Sequence, residues 1–174
     1  MTFHLERFRD WLSFERGVSP RTLDAYGRDA ARLEAFLRAR GVRDPGQASP
    51  TDLREFSYHL KDDGLAATSI RRTLSATRTY FGFLLAEGLI RTDPTEQLEP
   101  PKIWRRLPDV LGREEVGRLV EAPDPSDALY WRDRAMLEFA YASGVRVSEL
   151  TGLKIRDLEL EDGFATVYGK GAKE

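Results

Sequence analysis

The sequence predicts a mainly α-helical chain in two parts, a four-helix domain over residues 1–100 and an incomplete α+β portion over 111–174. Three observations predict it. Apolar residues recur at helical spacing through the first ninety positions, a proline-rich stretch then interrupts the pattern, and strand-like alternation appears only after Arg156. With 174 residues, 41% hydrophobic and 32% charged, the composition is of the soluble globular class.

The first helix is predicted in "FHLERFRDWLSFERG", where Phe8, Trp11 and Leu12 share a side and Gly17 stops the run. The second, "VSPRTLDAYGRDAARLEAFLRAR", opens with Ser19 as N-cap and Pro20 at the first helical position. It repeats Leu23, Tyr26, Ala30, Leu33 and Leu37 at helical spacing and ends near Gly41. "SPTDLREFSYHLKDDG" repeats the Ser-Pro opening and ends at Gly64. In "ATSIRRTLSATRTYFGFLLAEG" the residues Ile70, Leu74, Thr77, Phe81 and Leu84 form one face of the fourth helix, and Arg71, Ser75 and Arg78 form another.

"IRTDPTEQLEPPKIWRRLPD" has four prolines in twenty residues and no clear apolar period, so a linker is expected, placed at 101–110. Beyond it "GREEVGRLVEA", "DALYWRDRAMLEFAYASG" and "VSELTGL" read as helices, and "DLELEDGFATVYGKGAKE" reads as a hairpin around Asp162-Gly163. The second part stops two or three strands short of a sheet that would be stable by itself.

Composition excludes several classes of chemistry. There is no cysteine, so disulfides and thiolate metal sites are excluded, and His4 and His59 are too isolated to build a metal site. No metal and no cofactor is expected. No run approaches the roughly 18 apolar residues of a membrane span, so a cytoplasmic chain without membrane insertion is expected. The net charge of −2 is not the usual footprint of a nucleic-acid binder, but distribution matters more. Leu65 to Ala86 carries three arginines and no acid.

Those arginines are the first candidate site. Arg71 and Arg78 lie two helical turns apart with Ser75 between them, and Arg72 and Thr79 flank the same side. Arginines and hydroxyls on one face can hold phosphates and reach guanine edges; a merely solvated face is the alternative at this stage.

Arg146 in "GVRVSEL" is the second candidate. Met136, Phe139, Ala140 and Ala142 before it are expected to be buried, Gly144 breaks the helix, and Arg146 falls at the edge of the next one. A buried guanidinium requires an anion, either Glu149 three residues on or an external phosphate. Lys170 stands between two glycines at the end of a strand, in a segment that is not a P-loop, and an exposed turn lysine is its alternative reading. The six tyrosines all fit helical or strand positions, and none is nominated as a nucleophile.

"SPRTLDAYGRDAARLEAFL", "SIRRTLSATRTYFGFLLAEGLIRTDPTEQLEPPK", "LPDVL", "RDRAMLEFAYASGVRVSELTGLKIRDLEL" and "VYGKGAKE" together resemble the Xer-type site-specific tyrosine recombinases, in the same order and over essentially all of the chain. The resemblance implies a SAM-like core-binding domain followed by the first part of a catalytic domain, the two clamping duplex DNA from opposite sides. It implies that Arg146 binds the non-bridging oxygens of the scissile phosphate, that Lys170 protonates the leaving 5′-hydroxyl, and that Glu149 supports the pocket. A planar permanent cation suits a phosphorane-like transition state, and a mobile ammonium suits a general acid.

It further implies related recombinase subunits in a tetrameric synapse, a division-associated DNA translocase as a partner, and chromosome dimer resolution as the task. The family's His-x-x-Arg box, a further His or Trp and the tyrosine nucleophile lie beyond Glu174, so this chain alone is expected to bind DNA without forming a 3′-phosphotyrosyl bond. Gly112 stands where the family often has a Ser or Thr cap, which argues against a well-formed helix start there. A phage or mobile-element integrase is the alternative enzyme, disfavoured because the first helix begins at Met1 with no arm-binding domain ahead of it. Outside the enzymes, the alternatives are a non-catalytic DNA-binding module and a helical protein-interaction domain.

Overall fold

Two Ser-Pro pairs each open a helix, and each does so through its serine. In the computed structural model, which describes residues 3–99 and 109–167, Ser19 Oγ accepts from the Thr22 N–H at 3.3 Å and Pro20 is the first helical residue. Ser49 Oγ accepts from the Asp52 N–H at 3.2 Å while Asp52 Oδ2 accepts from the Ser49 N–H at 3.0 Å, a reciprocal capping box. The Ser49 bonds hold the Asp52 carboxyl below its ordinary pKa, with a smaller contribution from Arg40, whose Nε donates to Asp52 Oδ1 at 3.0 Å.

The chain divides into two compact units, Met1–Arg105 and Arg106–Glu174. Among its described residues the first contains four helices, α1 (Leu5–Phe14), α2 (Pro20–Ala39), α3 (Pro50–Asp62) and α4 (Ala67–Ala86), with a single 3₁₀ turn at Pro45–Gln47. Its core is continuous. Phe8 and Leu12 of α1, Leu33 and Leu37 of α2, Leu53, Phe56 and Leu60 of α3, and Leu74, Phe81 and Leu84 of α4 are all buried in it. The five residues expected on the inner face of α4 are all buried. Tyr80, also buried, packs edge-on against Phe8 with ring centroids 5.3 Å apart and donates its hydroxyl to the Phe3 carbonyl at 2.5 Å. Burial pushes the Tyr80 phenol well above its ordinary pKa.

The proline-rich stretch is packed ahead of the linker expected at 101–110. Its first part has no apolar period because it is a turn, yet Ile90, Thr95 and Leu98 are buried against the helices. Asp93 holds that turn by accepting from the Thr95 N–H and hydroxyl at 2.8 and 2.7 Å. The linker expected at 101–110 lies outside the described residues except for Asp109 and Val110.

The second unit contains α5 (Arg113–Val120), α6 (Tyr130–Ser143), α7 (Val147–Gly152), and strands β1 (Leu158–Glu159) and β2 (Phe164–Ala165), paired antiparallel with Leu158 opposite Ala165. The hairpin is not the two-residue Asp-Gly turn expected. Four residues, Leu160 to Gly163, connect the strands, and Gly163 at φ 71° closes the loop by donating its N–H to the Glu159 carbonyl at 2.9 Å. Nor does Gly112 spoil its helix, because Glu115 Oε2 reaches back to accept from the Gly112 N–H at 2.7 Å.

No described residue of the second unit is fully buried. The expectation for α6 is corrected accordingly. Met136, Phe139 and Ala140 are only half-buried and Ala142 is exposed, since the neighbouring described elements cover only part of that helix. Large apolar side chains remain open to solvent, Trp131 at 77% and Ile155 at 90%. Among the described residues no helix is long and apolar enough to cross a membrane.

Candidate nucleic-acid interface

At 100° per residue, α4 places Thr68, Arg71, Ser75 and Arg78 in one outward stripe, with Arg72 and Thr79 along its flank. Arg71, Arg72, Ser75 and Arg78 are exposed, Thr79 is half-buried, and Thr68, Arg71, Arg72 and Ser75 line an open depression. The helix can present this stripe because its opposite face is consumed by the core. The sequence-predicted residues therefore share one surface.

They are held in different ways. Arg71 and Ser75 make no side-chain hydrogen bond among the described residues, and Arg78 Nη2 donates to the Leu98 carbonyl. Thr79 Oγ1 donates to the Ser75 carbonyl one turn back at 3.0 Å, which commits its proton to the helix. Arg72 is bound side-on to a carboxylate that sequence reasoning missed. Its Nε and Nη2 donate to Asp29 Oδ2 and Oδ1 at 3.0 and 3.1 Å. Asp29 lies on α2, only 2% exposed, and also accepts from the Thr73 hydroxyl at 3.0 Å. The signal available was an acid bordering the apolar stripe of α2, but nothing local names a partner 43 residues away.

The second candidate region is the junction of α6 and α7. Gly144 ends α6 in the left-handed conformation at φ 65°, which a side chain would resist, and Arg146 two residues later is the N-cap of α7. Glu149, in the first turn of α7, accepts from the Arg146 N–H at 2.8 Å and from Arg146 Nη1 at 2.6 Å. The backbone bond foremost, and then the guanidinium, holds the Glu149 carboxyl below its ordinary pKa.

The expected burial of Arg146 is corrected. Its side chain is 73% exposed, whereas that of Glu149 is 8% exposed, because the described part of α6 leaves the guanidinium side uncovered. Of the two anions considered for Arg146, Glu149 is the one in contact. That contact uses a single N–H and leaves the remaining four of the guanidinium's five without a partner among the described residues. An exposed, permanently charged fork held at one terminal nitrogen can donate to the oxygens of a phosphate. Lys170 lies outside the described residues. Among the described residues no group of acids and histidines could hold a metal ion.

Comparison with known proteins bears on both regions. Residues 5–88 match the phage integrase N-terminal SAM-like domain, and residues 109–174 match the phage integrase family. The chain is 46% identical over 173 residues to tyrosine recombinase XerD of Chlorobaculum tepidum, covering 98% of this chain and 57% of that protein. It is equally, 46%, identical over 170 residues to tyrosine recombinase XerC of Xanthomonas campestris pv. campestris, covering 98% of this chain and 52% of that one. The chain thus spans little more than half the length of these curated relatives. Among solved structures, a lambda integrase (residues 75–356) dimer bound to a COC′ core site superposes with a TM-score of 0.76 at 25% identity, over 98% of this chain and 59% of that one.

Proposed function

The chain belongs to the phage integrase family, and from that premise we propose that it supplies the DNA-binding domain and the leading part of the catalytic domain of a Xer-type site-specific tyrosine recombinase. The first unit holds duplex DNA through the α4 stripe, with Arg71 and Arg78 on phosphates and Arg72, Ser75 and Thr79 beside them. The second unit contributes Arg146 to the scissile phosphate. The observation that carries this reading is the Arg146–Glu149 arrangement. Its carboxylate is consumed in fixing one end of an arginine whose other end faces outward, which is a phosphate receptor and not a closed structural pair.

Arg146 binds the two non-bridging oxygens and stabilises the charge that develops as a tyrosine hydroxyl attacks phosphorus and the 5′-oxygen departs. Lys170 gives that oxygen its proton, and the phosphate remains on the tyrosine until a 5′-hydroxyl of the exchanged strand attacks it. The bond energy is retained in the phosphodiester, so the reaction requires neither ATP nor a metal. The whole recombinase works in the cytoplasm with related subunits in a tetrameric synapse, resolves chromosome dimers and answers to a division-associated translocase.

Likeness to lambda integrase favours a second reading, integration by a mobile element. The identity of 46% to XerC and XerD against 25% to the integrase ranks it below the first.

The test is covalent trapping on a nicked suicide duplex by a recombinase of the relatives' full length that carries these residues. The unaltered protein is expected to form the adduct and Arg146→Ala to lose it by at least two orders of magnitude, as removal of a transition-state donor does. Trapping by Arg146→Ala at the unaltered rate overturns the assignment.

A further inference from the structure

Resting on the reading of α4 as a DNA-binding helix, we infer that Arg72 reads a guanine edge and that Asp29 is its positioning residue. Three observations carry this. The Asp29 carboxylate is almost wholly buried, and burying an ion costs more than an apolar side chain of its size would, so its presence demands a use. It is fixed from two sides, by the Thr73 hydroxyl and by the Arg72 guanidinium, all at 3.0 to 3.1 Å. And it engages Arg72 side-on, through Nε and Nη2, while that arginine's side chain remains 46% exposed.

The side-on pairing decides what is left over. Asp29 takes two of the five guanidinium N–H groups, and the remaining three include both protons of the end-on Nη1–Nη2 edge. That edge carries two parallel donors, the pattern that matches guanine O6 and N7 in a major groove. A phosphate contact tolerates a swinging arginine. A base contact does not, because discrimination disappears once the fork can tilt toward a neighbouring acceptor. Arg71, one residue earlier, has no such anchor and suits a phosphate. Arg72 shares an open depression with Thr68, Arg71 and Ser75.

The experiment incubates the full chain with a pool of duplexes randomised over 20 base pairs and sequences the bound fraction. The variants are Arg72→Lys, which keeps the charge beside Asp29 and loses the fork, Asp29→Asn, the combination of both, and Arg71→Ala. The unaltered chain is expected to enrich a motif containing guanine, and Arg72→Lys to lower the preference at one position by about 5- to 150-fold. Asp29→Asn relaxes the same position, and adding it to Arg72→Lys produces no further relaxation there. A merely structural Asp29 would weaken binding to all sequences alike in both backgrounds. If Arg71→Ala weakens binding while Arg72→Lys leaves every base preference intact, this inference falls and the DNA-binding reading stands. If the unaltered chain enriches nothing and Arg71→Ala changes nothing, both fall.

Discussion

Replacing Arg71 and Arg78 with Ala tests the α4 stripe through its charge, and the expected size of the effect follows from how each arginine is held. Neither is paired with a carboxylate. Arg71 makes no side-chain hydrogen bond among the described residues, and Arg78 bonds a neutral carbonyl at Leu98. Both charges are therefore available to displace counterions from DNA. Each phosphate neutralised contributes about 0.9 to the slope of log K against log salt, so the double variant should flatten that slope by about 1.8. Across the roughly fourfold change from about 50 to about 200 mM salt, that amounts to about 12-fold less loss of affinity than the unaltered chain suffers. Arg72→Lys keeps the charge beside Asp29 and should leave the slope nearly as it was. Fluorescence anisotropy with a labelled 30-bp duplex, titrated in KCl, reads all three slopes. A double variant whose slope matches that of the unaltered chain refutes the assignment of this stripe to phosphates.

Three further outcomes test the framework that positions the two regions. Phe8→Ala opens a cavity among Trp11, Tyr80 and Phe83 and should destabilise the first unit by about 3–5 kcal/mol in urea denaturation, while a surface change such as Arg21→Ala stays within about 0.5 kcal/mol. Ser49→Ala removes one half of the α3 capping box and should cost about 1 kcal/mol. Because the folded Asp52 pKa is depressed, the stabilisation from its charge is fully present above the ordinary carboxylate value and is lost as pH falls through the folded one; the cost of Ser49→Ala should therefore shrink from about pH 4 downward. Glu149 should titrate below an ordinary glutamate by carbon-13 NMR, and Arg146→Ala should restore its value only in part, because the larger contribution is the backbone N–H at residue 146, which the substitution keeps. Complete restoration would show that the guanidinium dominates.

The helices of the first unit were legible because their signals are local. Ser19-Pro20 and Ser49-Pro50 carry the cap and the first helical residue side by side, and the apolar faces repeat within each helix. The outward α4 stripe was legible for the same reason, since helical geometry alone puts Arg71, Ser75 and Arg78 together. Nothing local separates Arg71 from Arg72. The difference is made by Asp29, which arrives from α2 through packing that only the assembled core determines. The turn around Asp93 failed on the opposite count. It has no period to find, and its buried side chains reach the core from an irregular backbone.

Arg146 shows where reasoning from apolar letters overreached and what replaces it. An apolar run implies burial only when another element covers it, and the described neighbours of α6 cover part of it and leave the Arg146 guanidinium open. Burial thus does not fix this arginine. Two local devices do: the left-handed Gly144, which turns the chain out of α6, and the Glu149 carboxylate, which binds both the backbone and the side chain of the N-cap residue. Both operate within six residues, so orienting Arg146 needs no contact distant in sequence. A phosphate arriving there competes with Glu149 for one N–H and finds the other four unclaimed, so the pair need not break for the anion to bind. Glu149 then has a reason to be a carboxylate beyond capping. On the reading proposed above, it balances part of the arginine's charge and keeps the fork aimed at the phosphate.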